Sequence, residues 1–242
     1  MSAADLVEQA VTRHGAVAFD GASELVADVA CGGSAFALRF KRGALTRFEG
    51  RISTGFPRSV LSPYPKPGLR GVFERDRVRI ETDDGEPVAE RRDPRAAFRG
   101  RRNLWWDDLD LLYFAGYALW NYMTTPFIFR RPGFELEEID PWREGDERWR
   151  RLHARFPADI PTHSPEQDFY FDEEGRLRRL DYTAQVFGSW AKAAHYCREH
   201  RELSGLLVPT RRRVTPRRPD NKPLFGPTLV WIEIHGVELV QT

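Results

Sequence analysis

Cysteine is nearly absent: Cys31 and Cys197 are the only two in 242 residues, so no disulfide framework holds this chain together. A chain this long needs none, since it can bury roughly 70% of the surface its unfolded form exposes. Neither sign of charge prevails, with 37 Lys and Arg against 36 Asp and Glu. The molecule as a whole therefore lacks the field that draws proteins to nucleic acid or to an anionic membrane, and neither partner is expected. The glycine patterns G-x-x-x-x-G-K-[ST] and G-x-G-x-x-G that cradle phosphates do not occur, nor does the G-x-S-x-G of a serine nucleophile, so no cofactor is expected. His195, Cys197 and His200 lie close in sequence, but their spacing matches no zinc site, and no metal is expected. The opening MSAADLVEQA carries acids where a secretory signal would be basic and then apolar, which gives the expectation of a cytoplasmic protein.

What the chain does have is one uncharged run, Leu111 to Phe129, LLYFAGYALWNYMTTPFIF, in a sequence that is 30% charged with a mean hydropathy of -0.55. Each aromatic ring in it buries roughly 150 to 250 Å² at about 25 cal/mol per Å², so the run must be hidden from water. Asn121, Thr124, Thr125 and Pro126 interrupt it, which argues against a membrane span. Asn103 is the expected cap of a helix covering 104–125, with Asp107, Asp108 and Asp110 in its early turns and Pro126 as its stop. Tyr113, Gly116, Tyr117 and Trp120 fall on one stripe of that helix. Plain core explains the stripe, but buried tyrosine hydroxyls and indole N–H groups need partners, which suits a wall facing a partly polar ligand. Trp106, Tyr113, Tyr117 and Trp120, joined by Tyr196, are the expected ligand-binding residues.

Around this helix the chain reads as strands. Leu6, Val7, Ala10 and Val11 give a short amphipathic helix ended by Gly15. Alternating segments follow: LVADVA to Ala30, FALRF to Phe40 and ALTRFEGRIS to Ser53. The proline-rich FPRSVLSPYPKPGLRG is expected to be a loop or an edge, and the stretch after it a hairpin around Asp84 and Gly85. FELEEI, RWRRLHARF, the hairpin EQDFYFDEEGRLRRLDY, GLLVPTRRRV and LVWIEIHGVELV complete about ten strands. One α+β domain over residues 1–242 is expected, an antiparallel half-barrel curled around the central helix.

This order of elements, with the hairpin DFYFDEEGRLRRLDY and the strand GLLVPTRRRV, resembles the LolA-like lipoprotein-carrier half-barrel fold. The segments WDDLDLLYFAGYALWNYMTTPF and HSPEQDFYFDEEGRLRRLDY are similar to those of a group of uncharacterised bacterial proteins. The resemblance implies an apolar cavity capped by helices, as in periplasmic carriers of lipidated proteins. The fold is also similar to that of a cofactor-free enzyme of violacein biosynthesis, so it implies equally that such a pocket can be catalytic.

His163, Tyr170, Asp181, Tyr182 and His195, with Tyr196 beside them, are the densest set of groups able to trade protons. In the catalytic reading His163 or His195 is the base, Asp181 orients or charges it, and Tyr170 or Tyr182 donates a proton. In the structural reading the same groups satisfy half-buried imidazoles. Glu166 with Asp168, and Asp107 with Asp108, read as solvated faces. In RRRVTPRR, Arg211 and Arg213 share one strand face and Arg212 the other, so the charge forms no stripe for nucleic acid. The expected function is binding of an apolar or aromatic small molecule in the concavity, with cofactor-independent acid–base chemistry of isomerase, cyclase or lyase type. The alternative is a non-catalytic lipid or hydrophobic-ligand carrier.

Overall fold

The computed structural model describes residues 2–241. In chain order it contains helices α1 (Ala3–His14) and α2 (Ala16–Asp20), strand β1 (Ala22–Gly32), and the short helix α3 (Ser34–Ala37). Strands β2 (Phe48–Ser53), β3 (Arg58–Ser62), β4 (Leu69–Glu74), β5 (Arg77–Thr82) and β6 (Pro87–Arg92) lead to helix α4 (Asp108–Thr124). Strands β7 (Glu135–Glu144), β8 (Glu147–Arg155), β9 (Glu166–Phe171), β10 (Leu177–Thr183), β11 (Lys192–Leu203), β12 (Leu206–Pro216) and β13 (Val230–Gln241) follow.

All thirteen strands form one antiparallel sheet in the order β6-β5-β4-β3-β2-β1-β13-β12-β11-β10-β9-β8-β7. The sheet stays unclosed, with β6 and β7 as its two edges, and curls around α4 as a half-barrel. Helix α4 packs on β2 to β6, while α1 packs on β7, β8 and β12.

Helix α4 begins at Asp107, not Asn103. The Asp107 and Asp110 side chains each accept the other's backbone N–H, at 2.9 and 3.1 Å, a reciprocal capping box. Arg91 and Arg102 both grip that acid pair, and Asn103 lies in a 3-10 turn ahead of it. The helix stops where Pro126 withholds its N–H, and the Thr124 and Thr125 hydroxyls bond back to the carbonyls of Trp120 and Asn121. Every residue from Asp110 to Thr124 is buried. Gly116 permits the close seat of α4 on β4, since a Cβ there would lie 2.3 Å from Cβ of Phe73.

Three segments depart from the sequence expectation. FALRF is no strand: Phe36 turns inward from α3, while Leu38 and Phe40 face solvent, Phe40 with a positive φ of 61°. The proline-rich segment contains β3, because Ser59 to Leu61 are buried between β2 and β4 and the prolines fall outside it. A turn at Arg75 and Asp76 divides the next stretch, so three strands stand where one hairpin was expected.

Candidate functional site

Alternation along β9 to β12 divides the expected site residues between the two faces of the sheet. Tyr182, His195 and Arg212 point to the concave side. Tyr170, Asp181 and Tyr196 point to the convex side, and the catalytic set drawn from the sequence is thereby split.

On the convex face Arg179, fully buried, grips Asp181 through Nε and Nη2, both at 2.7 Å. The Tyr170 hydroxyl donates to Asp181 at 2.8 Å, and the Tyr196 hydroxyl donates to Glu144 at 2.9 Å. The Arg179 guanidinium also lies over the rings of Trp142, Tyr170 and Tyr196. Burial pushes the Asp181 carboxyl up and Arg179 opposes it. This is a sealed ion pair under an aromatic cover, and it does not reach the concave histidines.

On the concave face one chain of hydrogen bonds joins α4 to the sheet. The Tyr117 hydroxyl lies 3.0 Å from Nδ1 of His163, and the Tyr122 hydroxyl 2.6 Å from Nε2. Tyr122 continues to the Tyr182 hydroxyl at 3.1 Å, and Tyr182 to Nδ1 of His195 at 3.4 Å. The His163 ring stacks on that of Tyr182, 3.9 Å between centroids. His163 comes from the loop between β8 and β9, held by Arg95, whose guanidinium donates to the carbonyls of Thr162 and His163.

Burial pushes His163 down to about 3, and burial, then the nearby Arg212, holds His195 well below the usual imidazole range. Burial raises the phenols of Tyr117, Tyr122 and Tyr182. All five groups are therefore neutral at pH 7. Their protons can be ordered in either direction along the chain, because each imidazole offers one donor and one acceptor nitrogen. Either order leaves Nε2 of His195 without a partner among the described residues.

Arg212 stands beside Tyr122, in the middle of this chain. It is 2% exposed, its Nη1 lies 3.3 Å from Sγ of Cys197, and its Nη2 donates to the Tyr122 carbonyl at 3.1 Å. Its guanidinium lies over the Tyr122 ring, it has no carboxylate partner among the described residues, and its Nε is unpartnered.

Two spaces adjoin these residues. A void of about 40 Å³ lies between α4 and strands β1, β2 and β13, lined by apolar side chains including Val29, Phe48, Leu119 and Ile232, with Tyr122 and Tyr182 on one wall. Phe36 and Leu45, from the connection between β1 and β2, also line it. An open cleft of about 980 Å³ is lined by Tyr113, Phe156 and Ile160 together with charged groups such as Arg75, Asp93 and Arg155. Of the other expected ligand-binding residues, Trp106 is buried against Phe98, Phe114 and Phe187, and the Trp120 indole donates to the Ser53 carbonyl at 2.9 Å. Among the described residues no cluster of three metal-ligating side chains occurs.

Tyr122, Arg95 and Arg212 were absent from the expected site. Tyr122 falls off the Tyr113–Tyr117–Trp120 stripe, and only the inward curl of the sheet brings His163 between the two tyrosine faces. The period of two did place Arg212 opposite Arg211 and Arg213, but strand alternation alone does not say which face is the concave one.

No family model matches the chain, and no curated protein matches it. Solved structures do. A LolA superfamily protein from Nitrosomonas europaea aligns with a TM-score of 0.55 at 9% identity, over 100% of this chain and 95% of that one. A DUF1329 family protein from Desulfovibrio piger gives 0.54 at 11%, over 98% and 92%. A domain described as a candidate outer membrane lipoprotein-sorting protein from Vibrio parahaemolyticus gives 0.52 at 9%, over 98% and 93%. At these identities the likeness is one of fold, and the fold of this chain is the LolA-like half-barrel.

Proposed function

We propose that the protein is a carrier of a hydrophobic ligand, taken up between α4 and the centre of the sheet. The observation that carries the reading is the apolar void beneath Phe36 and Leu45, set in a half-barrel similar to a lipoprotein-sorting domain. At about 40 Å³ the void holds one or two waters, so uptake requires the connection between β1 and β2 to move outward. That connection is short of regular structure: α3 spans four residues, and Gly33 before it has a φ of 138°.

Acid–base chemistry is the second reading, favoured by the unbroken chain from Tyr117 to His195. It is the weaker of the two, because His163 and His195 are 1% and 0% exposed and a substrate meets neither without displacing core side chains. The compartment enters the proposal as cytoplasmic, supported by two buried, unpaired thiols, Cys31 and Cys197.

Native mass spectrometry of the purified protein tests the carrier: a co-purified lipid or apolar metabolite is the expected result. Delipidated protein should also bind a fluorescent acyl probe, and Ala118→Leu, which fills the void, should weaken that binding with little change in melting temperature. Absence of both co-purified ligand and probe binding would remove the carrier reading.

A further inference from the structure

Strands β1, β10 and β12 run toward one end of the half-barrel, and β2, β11 and β13 leave it. Their three connections, with the segment leading into α4, form a single rim. The backbone N–H of Trp106 donates to the Arg39 carbonyl at 3.4 Å, and that of Ala35 to the Leu229 carbonyl at 2.9 Å. The N–H of Arg217 donates to the Lys192 carbonyl at 3.0 Å, and the Arg39 guanidinium lies over the Phe187 ring.

This rim gathers most of the strongly exposed apolar side chains. Among the described residues seven large apolar side chains are at least 66% exposed, and six of them are here: Leu38, Phe40, Leu104, Trp105, Trp190 and Phe225. The seventh, Val17, lies on α2. The segments 38–47, 99–105, 185–192 and 217–229 hold eleven lysines and arginines against one acid, Asp220, in a chain whose net charge is +1. Arg42, Arg99, Arg101, Lys192 and Lys222 are exposed and make no ion pair among the described residues. Near-zero net charge argued against a membrane partner, but a sum over the chain hides the charge gathered on these four segments.

We propose that this rim docks on an anionic lipid bilayer, with the aromatic and leucine side chains entering the headgroup region and the free cations facing lipid phosphates. Tryptophan and phenylalanine favour that depth, and each basic residue near an anionic surface adds about five-fold in affinity. Aliphatic Leu38 and Leu104 among the rings suit lipid better than stacked bases. The apolar void lies directly behind this rim, since Phe36 and Leu45 belong to the same connection as Leu38 and Phe40. The docking deepens the carrier reading by giving the ligand its route, and it rests on that reading only for the route.

The test is co-sedimentation of the full chain with vesicles of phosphatidylcholine alone or with about one third phosphatidylglycerol, at low and high salt. Expected are binding at least about ten-fold tighter to the anionic vesicles, loss of that preference at high salt, and a blue shift of tryptophan emission. Trp105→Ala with Trp190→Ala should lower affinity about ten-fold without moving the melting temperature, and Arg99→Gln with Arg101→Gln should lower it about 25-fold on anionic vesicles only. Equal binding to both vesicle types, no binding, or variants that bind like wild type would overturn the proposal. Tighter binding to a single-stranded oligonucleotide, or a dimer that the tryptophan variant dissolves while vesicles stay unbound, would overturn it too. Vesicle binding with neither a co-purified ligand nor uptake of an acyl probe would leave the docking and remove the carrier, and probe uptake without vesicle binding would do the reverse.

Discussion

The Tyr122 hydroxyl stands 2.6 Å from Nε2 of His163 and ties the last turn of α4 to a loop 41 residues further along the chain. The same oxygen reaches Tyr182, so one phenol links the helix, the loop and the sheet. Tyr122→Phe leaves the His163 nitrogen buried without a partner and should cost about 1 to 3 kcal/mol. His163→Ala and His195→Ala should each cost at least as much, with a packing loss added. Urea denaturation checks all three, and melts equal to wild type would restore a solvent-reachable, catalytic imidazole.

Stability should fall as the solution is acidified, before carboxylates begin to titrate. Burial holds His14 down to about 4, His163 to about 3, and His195 well below its ordinary value of about 6.5. Each folded-state value is depressed, so between it and about 6.5 the unfolded chain binds a proton that the folded chain does not. Stability from these groups is full above about 6.5 and is lost toward the folded values, by about 2 kcal/mol per histidine at pH 5. Denaturation midpoints measured at about pH 7.5 and pH 5 should show the drop, and His163→Gln should reduce it by about 2 kcal/mol. A midpoint that does not change over that interval would contradict neutral, sealed imidazoles.

How much of this was legible depended on distance along the chain. Helix α4 was plain from nineteen uncharged residues, and Leu152, Ala154 and Phe156 against Trp149 and His153 gave the correct faces near β8. The period of two also separates Asp181 from Tyr182, adjacent on β10, and so already forbade a single site holding both. His163 sits in a loop, where no period assigns a face, and the tyrosines that meet it lie on two sides of α4. The docking rim is illegible for a related reason: its four segments are spread from Leu38 to Leu229, the antiparallel order of the strands brings three of them to one end, and the bond from Trp106 N–H to the Arg39 carbonyl ties in the fourth.

Two buried arginines on opposite faces of the sheet should respond in opposite directions to the same substitution. Arg179 neutralises Asp181, so Arg179→Met leaves the buried carboxylate with only Arg217 at 3.6 Å and the Tyr170 hydroxyl, and should cost about 3 to 5 kcal/mol. Arg212 has no carboxylate, its neighbours being a thiol, a carbonyl and a ring. Arg212→Met removes a desolvated charge and should leave stability unchanged or raise it by about 1 kcal/mol or more. Thermal melts of both variants decide this, and a large loss in Arg212→Met would mean that its contacts with Tyr122 outweigh the desolvation.

Glycine inside a helix is normally a cost, and replacing it by alanine at an exposed site gains about 1 kcal/mol. At Gly116 the sign should reverse. The new methyl would lie 2.3 Å from Cβ and 2.6 Å from Cγ of Phe73, distances that no rotamer change of Phe73 relieves, since Cβ is fixed by the strand backbone. The Gly116 carbonyl also accepts the Ser59 hydroxyl at 3.0 Å, so α4 cannot lift from the sheet without stranding a buried hydroxyl. Gly116→Ala should therefore destabilise the fold by about 1 to 3 kcal/mol or more, as overpacking does. The displacement would pass along α4 to Tyr113, one turn before it, and to Tyr117, directly after it, and a changed near-ultraviolet circular dichroism spectrum should accompany the lower melting temperature. A neutral or stabilising substitution would show that α4 does not rest on β4 at this glycine.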